Sequence, residues 1–96
     1  MSKATRMGDK DTGHDACPPT EMISASADVF INGKGAGRMG DIYAAHGCRD
    51  HSAHYGKISG GSASVFINGK PAARIGDPVS CGGNVAEGSP DVFIGG

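Results

Sequence analysis

Tryptophan is absent from this sequence, and its 96 residues include only three Phe and two Tyr. With 38% hydrophobic residues, apolar burial alone gives one domain a thin core. A second source of stability is therefore expected. No apolar run approaches the roughly 18 residues that a membrane helix requires, and the opening MSKATRMGDKD lacks the apolar stretch of a signal peptide. The formal net charge is −1, with Lys and Arg scattered. That distribution offers no electrostatic footprint for nucleic acid or an anionic membrane. No segment sustains a 3.6-residue period free of Gly and Pro, so helices are not expected. Three cysteines, Cys17, Cys48 and Cys81, are too few and odd in number for a disulfide framework. Metal binding by at least one of them is the better reading.

What the chain does have is glycine, 17 residues of it with five prolines, and no collagen-like period. Such a composition permits disorder, but an internal repeat argues for order. The segment from Val65 to Asp77, VFINGKPAARIGD, repeats VFINGKGAGRMGD from Val29 to Asp41 at an offset of 36, with most positions identical. Each copy reads as a β-hairpin: a β-branched and aromatic strand runs into Asn-Gly, the dipeptide best suited to a type I′ turn, and the returning strand ends at Gly-Asp. Pro71 cannot donate to a strand ladder and should stand at an edge or bulge. Two half-copies occupy the ends. Ala4-Thr5-Arg6-Met7-Gly8-Asp9 matches the returning strand, and Val92-Phe93-Ile94-Gly95-Gly96 matches the outgoing strand and its turn. Counted across the ends, Val92 to Arg6 is a separation of ten, against nine in the intact copies. The sequence thus reads as a threefold repeat opened inside one hairpin, an all-β single domain over residues 1–96 whose termini lie together.

Each Gly-Asp opens a long loop, and soft ligands recur at matching places. His14 lies five residues after Asp9, His46 five after Asp41 and Cys81 four after Asp77. Threefold symmetry brings the three near one axis, and a tetrahedral site then needs one more donor on or near that axis. The middle loop is the longest and alone has spare histidines, His51 and His54. His54 is preferred because it lies just before an expected strand region, Ile58–Ser62, while His51 sits in the polar middle of the loop. A His₃Cys set suits Zn²⁺, with iron an alternative for similar ligands, and leaves no open coordination position. A structural metal would also offset the entropy lost in ordering long Gly-rich loops.

Cys17 and Cys48 fall eight and seven residues after their Gly-Asp, so they should be neighbours. They are read as buried thiols, since free Cys packs as a small hydrophobe; a disulfide or a ligand role are the alternatives. The repeated Arg6, Arg38 and Arg74, with Asp9, Asp41 and Asp77, read as structural pairs that satisfy backbone groups at each turn. A nucleophilic role for Cys81 lacks an orienting group and an oxyanion donor. No catalytic residue is assigned.

Pro71-Ala72-Ala73-Arg74, followed by Ile75-Gly76-Asp77-Pro78 and Cys81-Gly82-Gly83, resembles the signature of the PAAR-repeat family. The other copies depart from it, reading Ala4-Thr5-Arg6 and Gly35-Ala36-Gly37-Arg38, but keep Arg and Gly-Asp. The resemblance covers essentially the whole chain and implies a bare tip without an effector extension. It implies a short conical fold, β-helix-like or prism-like, of three hairpin repeats, with zinc near the apex held by His14, His46, His54 and Cys81. It further implies docking of one monomeric cap on a trimeric valine-glycine repeat (VgrG-like) spike of a type VI secretion system, or on the central spike of a contractile phage tail. The cap would be made in the cytoplasm and carried out on the apparatus to pierce a target envelope. An adaptor that attaches a separate effector protein is the alternative, and a small zinc hydrolase a more distant one.

Overall fold

The computed structural model describes residues 1–48 and 51–96, with the side chain of His51 outside the description. Eight short strands are present: β1 (Ser2–Lys3), β2 (Phe30–Ile31), β3 (Lys34–Gly35), β4 (His46–Cys48), β5 (His51–His54), β6 (Phe66–Ile67), β7 (Lys70–Pro71) and β8 (Phe93–Ile94). No helix occurs among the described residues, so none is long and apolar enough to cross a membrane.

The two intact copies form the expected hairpins. Ile31 faces Lys34 and Ile67 faces Lys70 across two-residue turns. Asn32 and Gly33 have φ of 54° and 77°, and Asn68 and Gly69 have 55° and 76°, the left-handed pair that a type I′ turn requires. Pro71 faces Phe66, between the turn-closing pair and the bond from Ala72 N to Val65 O. Its missing N–H therefore falls at a non-hydrogen-bonded position and costs the ladder nothing. The third hairpin is assembled from the two ends: β1 pairs antiparallel with β8, Ser2 opposite Ile94 and Lys3 opposite Phe93.

Beyond the hairpins the three copies close on each other. Arg6 bridges Ala36, Arg38 bridges Ala72, and Arg74 bridges Ala4. At the centre, Gly37 N donates to Thr5 O, Thr5 N to Ala73 O, and Ala73 N to Gly37 O, at 2.9, 3.2 and 3.0 Å. This cyclic triangle satisfies buried backbone groups without any long strand. Each chain then turns at a glycine of positive φ, Gly8, Gly40 or Gly76, and the carboxylate that follows locks the turn. Asp9 accepts from Arg6 N, Nε and Nη2, and Asp41 and Asp77 accept the same three bonds from Arg38 and Arg74. The structural reading of these residues holds.

The core is divided. One small cluster, Ala4, Ala36, Ala72, Ile67 and Ile94, lies within the hairpin layer, and a second, including Met22, Tyr43, Ile58, Val79 and Val85, fills the body beneath the loops. The molecule is elongated, 37 × 24 × 22 Å. Within the second cluster Tyr43 is fully buried, and burial, with the Asp11 and Asp9 carboxylates as neighbours, pushes its phenol well above the ordinary range.

A repeated serine completes each hairpin. The hydroxyls of Ser26, Ser62 and Ser89 accept from the amides of Val29, Val65 and Val92, each at 2.9 Å. One expectation fails. Ile58–Ser62 is not a strand: Lys57 and Ile58 bridge Ile42 and Val79, and the following residues pair with no strand. Gly60 and Gly61 pass so close to Pro78 and to Pro71 and Ala72 that no side chain fits at either. They are selected for close passage, not for pairing.

Candidate metal centre

The loops that follow the three Gly-Asp turns carry the remaining chemistry. In the first, His14 and Cys17 close a tight turn by exchanging backbone bonds, with Asp15 at a φ of 49° between them. In the middle loop, β4 and β5 form a hairpin in which His46 stands directly opposite His54. Cross-strand partners project to the same face, so one hairpin delivers two imidazoles to one point. The third and shortest loop delivers Cys81, whose side chain packs against the body core.

These elements bring four predicted residues together. His14 Nε2 lies 3.1 Å from His46 Nε2 and 2.9 Å from His54 Nε2, and the His46 and His54 Nε2 atoms are 2.9 Å apart. Cys81 Sγ is 3.9 Å from His46 Nε2, and all four donor atoms fall within 4.8 Å of one another. The near-equilateral triangle is made by three imidazoles, two of them from one loop. The side chain of His51, the other candidate, lies outside the described residues.

Chemistry decides what such a cluster can accommodate. His46 Nδ1 is 2.8 Å from the Pro18 carbonyl and His54 Nδ1 is 2.8 Å from the Ser52 carbonyl. A carbonyl only accepts, so in each neutral imidazole Nδ1 carries the proton and Nε2 presents the lone pair. Two lone pairs 2.9 Å apart repel unless an electrophile lies between them. The carbonyls here are the outer partners that orient metal-bound imidazoles. For a tetrahedral ion with metal–nitrogen bonds of about 2.0–2.1 Å, nitrogen donors lie about 3.4 Å apart, within about half an ångström of what is found. The donor set therefore fits a metal ion. Three imidazole nitrogens and one cysteine sulfur make a donor set of the kind that suits borderline-soft divalent ions.

Cys17 and Cys48 correct the sequence reading. They are not separate buried thiols but a disulfide, with Cα atoms 4.9 Å apart, well within the reach of such a bond. The His14–Cys17 turn and β4 present them face to face. Their matched spacing after Gly-Asp signalled proximity, but not the orientation that bonding requires. Cys81 is the free cysteine. The bond ties the first loop to the middle loop, as His14 with His46 and His54 does.

No curated protein matches the chain. Comparison with protein families matches residues 49–96 to the PAAR motif, half of the sequence, including the Val65–Asp77 copy and Cys81. This match and the closed all-β repeat agree: the chain belongs to the PAAR motif family, whose members are spike-tip proteins of contractile injection systems.

Proposed function

We propose that this protein is the cap of a trimeric spike, either the valine-glycine repeat protein of a type VI secretion system or the central spike of a contractile phage tail. In this reading it sharpens the spike for piercing, and His14, His46, His54 and Cys81 hold one structural zinc ion. The observation that carries the reading is the exposure of one phenylalanine at the same place in each of three hairpins. Phe30, Phe66 and Phe93 are 59%, 57% and 47% exposed, while Ile67 and Ile94 beside them turn inward. Period-2 alternation makes that division. A large apolar side chain left in water three times over, in a domain short of apolar residues, marks an interaction surface.

A monomer with internal threefold symmetry offers each chain of a trimer the same contact, so one cap suffices per spike. The open strand edges at the end of a three-chain β-structure need such a cover. At the loops, the ion would join three segments that have little apolar material of their own. Four protein donors fill a tetrahedral set and leave no position for water. The role is mechanical, and localisation follows from it: the cap leaves the cytoplasm on the apparatus.

Two measurements test the proposal. Plasma mass spectrometry should find one zinc per chain in the wild type and none in His14→Ala or Cys81→Ala. Native mass spectrometry with a trimeric valine-glycine repeat spike should find one chain per trimer, and Phe30→Asp/Phe66→Asp/Phe93→Asp should abolish the complex. Three chains per trimer, or a complex indifferent to the three substitutions, would sink the docking argument.

A further inference from the structure

The three flanks between neighbouring copies are equivalent by backbone, since Gly8, Gly40 and Gly76 donate to the carbonyls of Met22, Ile58 and Val85. Their side chains are not equivalent. Numbered by their turns at Asp9, Asp41 and Asp77, the second and third copies enclose an open groove of about 470 Å³, with Met39 and Pro71 in its apolar lining above the buried Ile58, and the two lysines Lys57 and Lys70 beside them. No carboxylate lines it, and neither lysine forms a salt bridge among the described residues. Asp28, which reaches the same hairpin, is engaged by Asn68 and Ser26.

The other flanks lack this combination. Where the groove has Lys57 and Ser59, the flank between the first and second copies has Glu21 and Ile23. Glu21 places a carboxylate on that flank, and Ile23, 43% exposed, occupies the position equivalent to Ser59. The flank between the third and first copies is polar, lined by Lys3, Arg6, Asp9 and Glu87. Lys57 and Lys70 therefore make one flank out of three both concave and apolar, with an unbalanced positive charge.

We propose that this groove binds an acidic peptide segment of a second protein, with one bulky apolar side chain on Met39 and Pro71 and flanking carboxylates on Lys57 and Lys70. The volume suits a few side chains of an extended segment and lies in the range of ordinary ligand sites. Lysine stems extend the apolar lining while their ammonium groups stay at the rim. Two like charges beside one apolar floor favour a partner of opposite sign. Because only one flank is built this way, a threefold body would carry one such segment per cap. The groove uses none of the four metal-site residues and none of the three exposed phenylalanines, though Pro71 stands opposite Phe66 in the same hairpin.

The probe is a fluorescein-labelled peptide, acetyl-Glu-Asp-Leu-Phe-Asp-Glu, compared with its Gln/Asn counterpart by fluorescence anisotropy, and with vesicles of phosphatidylglycerol by cosedimentation. We expect the acidic peptide alone to bind, and Lys57→Glu/Lys70→Glu to weaken it by about tenfold or more, since each rim charge is reversed. Ser59→Trp, which fills the groove without changing charge, should also weaken it. Metal content and spike binding of these variants check that the fold is kept, so failure here is distinct from failure of the capping role. Equal binding of the neutral peptide, no binding, or binding of vesicles but not peptide would overturn the proposal.

Discussion

The Cys17–Cys48 bond is the strongest single covalent constraint on the loop end, and its worth can be worked out from where it lies. The two residues are 31 apart in sequence. Cross-linking a loop of that size removes about 12 cal/mol/K of entropy from the unfolded chain, or about 3.7 kcal/mol at 25 °C. For a domain of this length each kcal/mol moves the melting temperature by about 4–8 °C, so Cys17→Ser/Cys48→Ser should melt roughly 15–30 °C lower. Urea unfolding of the protein as purified, with and without a phosphine reductant, measures the same loss in the wild type. The double variant should keep its metal, because neither cysteine belongs to the ligand cluster. A thiol count on denatured, unreduced protein should find one thiol per chain, Cys81. Three thiols, or a urea midpoint indifferent to the reductant, would refute the reasoning and restore the sequence expectation of buried thiols.

Two further outcomes follow from the body. A Cβ on Gly37 would lie 2.7 Å from Thr5 Cγ2 and 2.9 Å from Met22 Cε, so Gly37→Ala should cost about 1–3 kcal/mol by overpacking the axis. Thr5→Ser removes that methyl while keeping the hydroxyl that donates to Glu87 O; in urea the double variant should lose less than the two singles combined, and strict additivity would deny the contact. The Asp28 and Asp91 carboxylates are held below their ordinary range, chiefly by hydrogen bonds from Asn68 and Asn32 and next by Ser26 and Ser89. A depressed carboxyl contributes stability that is present above its unfolded value and is lost as pH falls through the folded one. Asn68→Ala and Asn32→Ala should therefore raise the respective titration midpoints in carboxyl NMR and begin acid destabilisation at higher pH, and unchanged midpoints would show that the amides do not hold the charges.

Much of the body was legible because its signals are local. Asn32-Gly33 and Asn68-Gly69 specify their turns by backbone chemistry, and the shared Val-Phe-Ile and Arg…Gly-Asp pieces at the two ends revealed a third hairpin split by the termini. The Ser26, Ser62 and Ser89 caps were equally readable, each three residues before the valine of its copy, but a lone serine in a glycine-rich stretch draws no attention until its repeats are aligned. Ile58–Ser62 misled because β-propensity at Ile58 was extended across glycines that serve close passage. Spacing alone brings His14, His46 and Cys81 together, but the preference for His54 rests on the Ile58–Ser62 strand that does not form, and the β4–β5 hairpin was not readable because HGC and HSAH lack alternation. That hairpin is the reason His54 meets His46. Disulfide formation depends on side-chain direction, which spacing does not encode.

Symmetry and its breaking divide the molecule by task. In the proposed capping role the hairpin layer would offer a trimeric partner three equal contacts, through Phe30, Phe66 and Phe93 on a closed ring of backbone bonds. Three equal loops cannot make a four-donor site, because three copies of one ligand leave the fourth corner empty. The chain resolves this by unequal loops: the longest gives His46 and His54, the first gives His14, and the shortest gives Cys81. The flanks stay equivalent by backbone, and on one of them Lys57 and Ser59 replace Glu21 and Ile23 without disturbing the ring below. The hairpin ring thus keeps the symmetry, while loops and flank side chains break it independently, the loops at the four-donor cluster and the flank at the proposed peptide groove.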